Sequence, residues 1–414
     1  MNIEMDVPDE SFEDFALPED TGEIASPEPL NFAPWHKPRK QFVRKHQWVH
    51  HALSTIRNLK DSGHLDANSP VRYLTLPGPD LLDVKLIADV CASQNVRLHY
   101  TGFCYVRETE AVRLRRHTQQ FEIDRGAQVL PGSGVHISRL EDITRANSEA
   151  KTLMERGGPY SIVNIDACEP IANADGNQTG RLIDAIRTIV DFQLNVNRQP
   201  WLLYLTTPVQ TDSVSIDAQR SLYDQVRQNV AADTEFADEL AGRYAEGEDI
   251  ERYLTRVSQE NGHEFVRTIT LGVSKWLVHL AEQANFNVKK LPAVCYSMFK
   301  REPYLPNMIS TCFLFLPKYI QIRDNTGLTL NTQPQTGQAA ISDHIRALRK
   351  SVEIQNIDET LADDLVLRAE LAAETKALLG SVGYDVDHPE HGYDIWLSGE
   401  PMELANAASK NQGI

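Results

Sequence analysis

The sequence predicts an α/β fold, a doubly wound, mostly parallel seven-stranded sheet closed by an antiparallel hairpin, with helical extensions. Three observations carry this. Apolar runs of strand length alternate with helix-length amphipathic stretches from about residue 63 to residue 285. Several runs, such as 160–166 and 200–206, are apolar without alternation, as strands covered on both faces are. The last two runs, 288–300 and 308–316, follow each other with only Glu302-Pro303-Tyr304-Leu305-Pro306 near their junction, which makes them a hairpin.

Each element follows in order. Residues 1–33 hold no Lys or Arg and are punctuated by Pro8, Pro18, Pro27 and Pro29, so they read as an acidic disordered tail. The charge then inverts. Residues 34–62 form a basic amphipathic segment in which Phe42, Val49, Leu53, Ile56 and Leu59 recur at helical spacing, predicting a helix over 41–60. Strand 71–76 ends in the turn Pro77-Gly78-Pro79-Asp80, and helix 81–92 follows. Strand 96–105, helix 108–123, short strand 135–138 and helix 140–156 continue the alternation. Strand 160–166, a helix near 180–195 and strand 200–206 complete five parallel strands. A charged helical insertion at about 212–262 is placed to overhang the sheet as a lid or docking surface. Helix 264–285 precedes the hairpin, which ends the domain spanning 63–317. Residues 318–414 form a helical C-terminal extension, frayed at its end.

Composition limits the function classes. The net charge is −17, so a nucleic acid or anionic membrane partner needs a local basic patch. No signal sequence or bilayer-length apolar run is visible, and no membrane partner is expected. Cys91, Cys104, Cys168, Cys295 and Cys312 are widely spaced, with no C-x-x-C pair, which points to a cytoplasmic protein without a disulfide framework. His46 and His50 share a helix face, but no acid completes a His-Glu-x-x-His motif, so no metal site is assigned. Gly132-Ser133-Gly134 lacks the Lys-Ser/Thr ending of a phosphate loop and reads as a turn.

The order of five parallel strands closed by an antiparallel pair resembles the Rossmann-like fold of class I methyltransferases. That resemblance implies S-adenosylmethionine as cofactor, bound where the first strand turns through acid-apolar-Gly-x-Gly-x-Gly. Here the acid position falls on Thr75 and the glycine positions on Pro77, Pro79 and Leu81, with Gly78 alone supplying freedom and Asp80 placed to compensate. The acid expected on the ribose is replaced by Cys104, and the acid expected near the adenine by Ser138-Arg139. A buried cation at Arg139 requires an anionic ligand or partner, so a phosphate-bearing ligand is an alternative to S-adenosylmethionine. Asp166 closes the fourth strand at the edge where such sheets hold their ligands, and is the catalytic candidate. Cys168-Glu169-Pro170 does not match the Pro-Cys order of cytosine-C5 enzymes, nor is an (Asp/Asn/Ser)-Pro-Pro-(Tyr/Phe/Trp) box present. The segments Trp35-His36-Lys37-Pro38-Arg39-Lys40-Gln41 and Leu76-Pro77-Gly78-Pro79-Asp80-Leu81-Leu82-Asp83 also resemble an uncharacterised group of bacterial proteins.

Two function classes follow. The degenerate motifs favour a non-catalytic pseudoenzyme, a nucleic-acid-binding or assembly component of a bacterial multi-protein system. His36, Lys37, Arg39, Lys40, Arg44 and Lys45, beside Trp35 and Trp48, would contact nucleic acid, and a protein partner is expected. The alternative is an active S-adenosylmethionine-dependent methyltransferase acting on nucleic acid or another macromolecule.

Overall fold

The computed structural model describes residues 30–66, 69–105, 110–171, 181–298, 305–318 and 342–399. The acidic stretch 1–29 and the segments 319–341 and 400–414 lie outside these residues. Strands β1 (Val71–Thr75), β2 (Leu98–Phe103), β3 (Gly134–His136), β4 (Ile162–Asp166) and β5 (Trp201–Pro208) are parallel, in the order β3-β2-β1-β4-β5. Strand β8 (Met308–Pro317) runs antiparallel to β5, with Leu203 opposite Phe313.

Beyond β8 the expected single strand 288–300 is two pieces. β6 (Phe286–Lys290) and β7 (Val294–Tyr296) both pair antiparallel with β8. Pro292 lies between them, where it cannot donate to the ladder. A two-residue strand, β9 (Gln355–Asn356), adds to β7 from the C-terminal extension. The described sheet therefore has nine strands rather than seven.

The period of two along each strand builds two cores. Tyr73, Tyr100, Ile162, Leu202 and Tyr204 face one side. They meet Val43, Trp48 and Ile56 of the N-terminal helix, Val84 and Ile87 of helix Leu82–Ser93, and Leu361 and Leu371 of the extension. Leu74, Val163, Ile165, Leu203 and Leu205 face the other side, against Ile186, Ile189, Leu271, Val278 and Leu348. Each such side chain contributes about 1.5–3 kcal/mol by leaving water, which explains why apolar and aromatic residues dominate these runs.

Several helical expectations need correction. Residues 140–156 are not one helix. A 3-10 turn, Leu140–Thr144, gives way to helix Glu149–Gly157, whose Ser148 cap accepts from the Lys151 N–H at 3.0 Å. The insertion is divided in the same way into Ile216–Ala232, Thr234–Arg243 and Ile250–Val257, capped by Ser215, Asp233 and Asp249. Its apolar stripe (Leu222, Val226, Phe236, Leu240) is buried in the core that helix His263–Gln283 shares. This stripe is thus taken up by packing, and no residue of the insertion lines the cavity at the sheet's carboxyl edge.

The C-terminal extension also packs on the sheet. Helix Asp343–Val352 lies against helix His263–Gln283 and β6, and helices Ile357–Asp363 and Leu365–Gly380 lie near the N-terminal helix. Residues 381–399 continue to pack, whereas the end expected to fray, 400–414, lies outside the described residues. Tyr384 and Tyr393 join Leu82 and Leu379 in a third cluster, on which Leu30 and Phe32 pack. The last residues of the expected tail are therefore held, with Phe32 stacked on Tyr384 at 5.4 Å. No described helix is long and apolar enough to cross a membrane.

Candidate functional site

A cavity of about 430 Å³ lies at the carboxyl edge of the parallel strands, where chain reversals on either side of β1 leave a crevice. The ends of β1, β2 and β4, the turn after β3 and the N-terminal helix all reach it.

The turn after β1 is firmly seated. Pro77 packs on Gly102 of β2, where an added Cβ would approach the proline ring to 3.0 Å. The expectation that Gly78 supplies the turn's freedom is corrected: Gly78 does not take a left-handed backbone, whereas Leu81 does, at φ 50°. A fully buried leucine in that region costs about 1 kcal/mol and is held by the packing around it. Asp83, in the first turn of the next helix, accepts from Tyr73 Oη at 2.9 Å and Thr75 Oγ1 at 2.5 Å. Burial raises its carboxyl above the usual range, and those hydrogen bonds oppose the rise.

Asp80 lines the cavity, but its oxygens are engaged. It pairs with Arg115, accepts from Tyr384 Oη at 2.9 Å and lies 3.6 Å from His36 Nε2. The C-terminal extension thus braces Asp80 from behind without itself lining the cavity. Burial lowers the His36 pKa, against the opposing hydrogen bond to Asp80. Cys104 lies at the end of β2, buried and lining the cavity. Arg139 also lines it, yet it is not the fully buried, unanswered cation expected. Its side chain is 33% exposed, 3.5 Å from Glu141 and over the Tyr105 ring at 5.6 Å.

The largest correction concerns the basic segment. Its helix begins at Pro38 and comprises an α segment Pro38–Phe42, a π segment Val43–Val49 and an α segment His50–Asp61. It is not an exposed patch, because this helix covers one face of the sheet. His36, Lys37, Lys40 and Arg44 are buried. Lys40 Nζ donates to Asp166 Oδ1 at 2.5 Å and sits 4.8 Å from the Trp48 ring centroid. Arg39 pairs with Asp358 at 3.0 Å, and Lys45 with Glu374 at 2.5 Å. Gln47 anchors the π segment by donating to the carbonyls of Pro292 and Ser310, and Tyr204 Oη donates to the Trp48 carbonyl at 2.9 Å. π segments of this kind recur at functional sites.

The structure therefore brings Gly78, Asp80, Cys104, Arg139 and Asp166 together around one cavity and adds Lys40 and Arg44 from the assigned basic patch. Glu141, Trp35 and Trp48 add to the polar and aromatic lining, as do Asp83, Phe103, Tyr105 and Glu169. The signal that could have placed Lys40, Arg44 and Trp48 here is their four-residue spacing, which aligns them on one helix stripe. Among the described residues, no group of three or more His, Cys, Asp or Glu side chains is placed to hold a metal ion.

Fold and site together define a Rossmann-like α/β protein with a small-molecule-sized cavity at the carboxyl edge of its sheet. The chain belongs to the PP_RS20740-like family, whose model matches residues 29–398. No curated protein matches the sequence.

Proposed function

We propose that the protein binds a nucleoside-type small molecule in this cavity, with S-adenosylmethionine the first candidate, and that binding rather than methyl transfer is its role. The observation that carries the reading is the cavity itself. Its volume, about 430 Å³, is that of a small-molecule site, and charged and aromatic side chains converge on it. The strand order supports the methyltransferase-like resemblance, with β8 antiparallel beside β5 and β6 and β7 beyond it.

The lining fits such a ligand in part. Cys104 and Arg139 border the cavity where the resemblance puts ribose and adenine contacts, but neither is an acid; Glu141 supplies a carboxylate two residues on. S-adenosylmethionine, when bound, would bring an activated methyl group. The residues around it are poorly suited to assist its transfer. Asp166 is held by Lys40, so it is not a free base. Cys168 is solvent-exposed, and desolvation at the cavity edge together with Asp166 pushes its thiol up, away from the nucleophilic thiolate. Nucleic-acid binding through residues 36–60 is set aside, because the cations that would carry it are buried or paired. Five unpaired cysteines suit a cytosolic location.

Tryptophan fluorescence tests the reading, because Trp35 and Trp48 line the cavity. S-adenosylmethionine, S-adenosylhomocysteine and adenosine should each give a saturable change. No saturable change with any of them overturns the proposal. Turnover of labelled S-adenosylmethionine by the purified protein would move the reading to an active methyltransferase.

A further inference from the structure

Arg44 is 4% exposed and lines the cavity, and its Nε and Nη1 have no hydrogen-bond partner among the described residues. Trp48, one turn further along the same π segment, lines the cavity too, and its Nε1 is also without a partner. Both groups are donors only, so what they lack is an acceptor. Burial pushes the Arg44 pKa down. A guanidinium nevertheless keeps its proton in the physiological range, so deprotonation does not relieve the cost of the buried charge.

Neighbouring charges do not answer it by contact. Asp166 bonds to Lys40, and Asp83 takes the hydroxyls of Tyr73 and Thr75; both act on Arg44 only through space. Arg139 has Glu141. Of the cavity's three cations, Arg44 is therefore the one without a contacting carboxylate among the described residues, although Asp80, Asp83 and Glu169 also line the cavity; it is held in place by a helix segment pinned at Gln47 and Trp48.

We propose that Arg44, with the indole N–H of Trp48, binds an oxyanion, the phosphate or carboxylate group of the cavity's ligand. The inference rests on the cavity being a ligand site and adds which chemical group that ligand carries.

The test compares thermal unfolding of the full chain with that of Arg44→Gln and Arg44→Lys. Inorganic phosphate is set against chloride at equal ionic strength, and AMP and S-adenosylhomocysteine against adenosine. Phosphate should raise the wild-type midpoint by about 2 °C or more and leave Arg44→Gln unmoved. AMP or S-adenosylhomocysteine should bind wild type about tenfold more tightly than adenosine, and the larger Arg44-dependent gain distinguishes phosphate from carboxylate. Arg44→Lys should keep part of the response. In chloride Arg44→Gln should be at least as stable as wild type, because it removes a buried charge without a partner.

Equal shifts in wild type and Arg44→Gln, or no shift with any anion, overturn the oxyanion site. If adenosine still binds in that case, the cavity reading stands alone. A phosphate response confined to wild type, with no nucleoside binding, keeps the oxyanion site and overturns the nucleoside reading.

Discussion

Lys40 and Asp166, 126 residues apart in the chain, meet as an ion pair of 2.5 Å at the carboxyl edge of the sheet, and they are unequally buried. The lysine side chain is 2% exposed and the aspartate 29%. Burial lowers the Lys40 pKa and Asp166 opposes that shift. Removing either partner should therefore cost different amounts. Asp166→Ala strands a buried ammonium and should destabilise by roughly 3–5 kcal/mol. Lys40→Met leaves a carboxylate that water can reach and should cost about 1–2 kcal/mol. Urea unfolding of both variants checks the asymmetry, and equal losses would contradict it.

Tyr384 ties the C-terminal extension to the site through its hydrogen bond to Asp80, and Arg115 lies over its ring at 4.3 Å. Tyr384→Phe keeps the ring and removes one donor to a carboxylate. The expected loss is about 1.5–3 kcal/mol. Hydrogen exchange should show faster opening of residues 381–399 and of the turn after β1 together. Faster exchange in only one of the two would contradict that link.

Lys290 is buried at the end of β6, beside β8, with Nζ 3.0 Å from Thr311 Oγ1. Burial lowers its pKa to about 7, Lys350 adds to the shift, and Cys312 opposes it. The unfolded lysine titrates near 10.5. Between those values the unfolded chain holds a proton that the folded chain does not, so stability rises with pH across the window. Below about pH 7 the charged form is carried into the fold and the cost is complete. Lys290→Met should stabilise by roughly 1–3 kcal/mol at neutral pH, even after losing the Thr311 bond. The gain should shrink towards pH 10. Denaturant titrations at both pH values check this, and a pH-independent difference would contradict it.

Much of the fold was legible because burial leaves a plain signature. β5 is buried at seven successive positions, so its apolar run could only be an interior strand. The ends of β1, β2 and β4 were found by the same logic, and with them Asp80, Cys104 and Asp166 as neighbours. The burial of the basic segment is not legible in the sequence, for a physical reason. Lys and Arg are rarely buried without partners, and their partners here are remote in sequence. Asp166 is 126 residues from Lys40, and Glu374 is 329 residues from Lys45. Nothing local in His36–Lys45 announces those pairs. The same distance hid Tyr384, which lies 304 residues from Asp80. The breaks after residue 144 and at Asp233 depended on cap hydrogen bonds that hydrophobic periodicity does not see.

Whether the cavity holds a nucleoside-type ligand is decided by calorimetric titration with S-adenosylhomocysteine, wild type paired with Gly78→Phe. Gly78 borders the cavity, its backbone suits any residue, and an added Cβ meets nothing within 4 Å, so a phenyl ring can obstruct the site without straining the turn. Wild type should bind with micromolar affinity, Gly78→Phe at least tenfold more weakly, about 1.4 kcal/mol, and the two should share an unfolding midpoint without ligand. No heat from a folded wild-type protein, or the same affinity in both proteins, would contradict it.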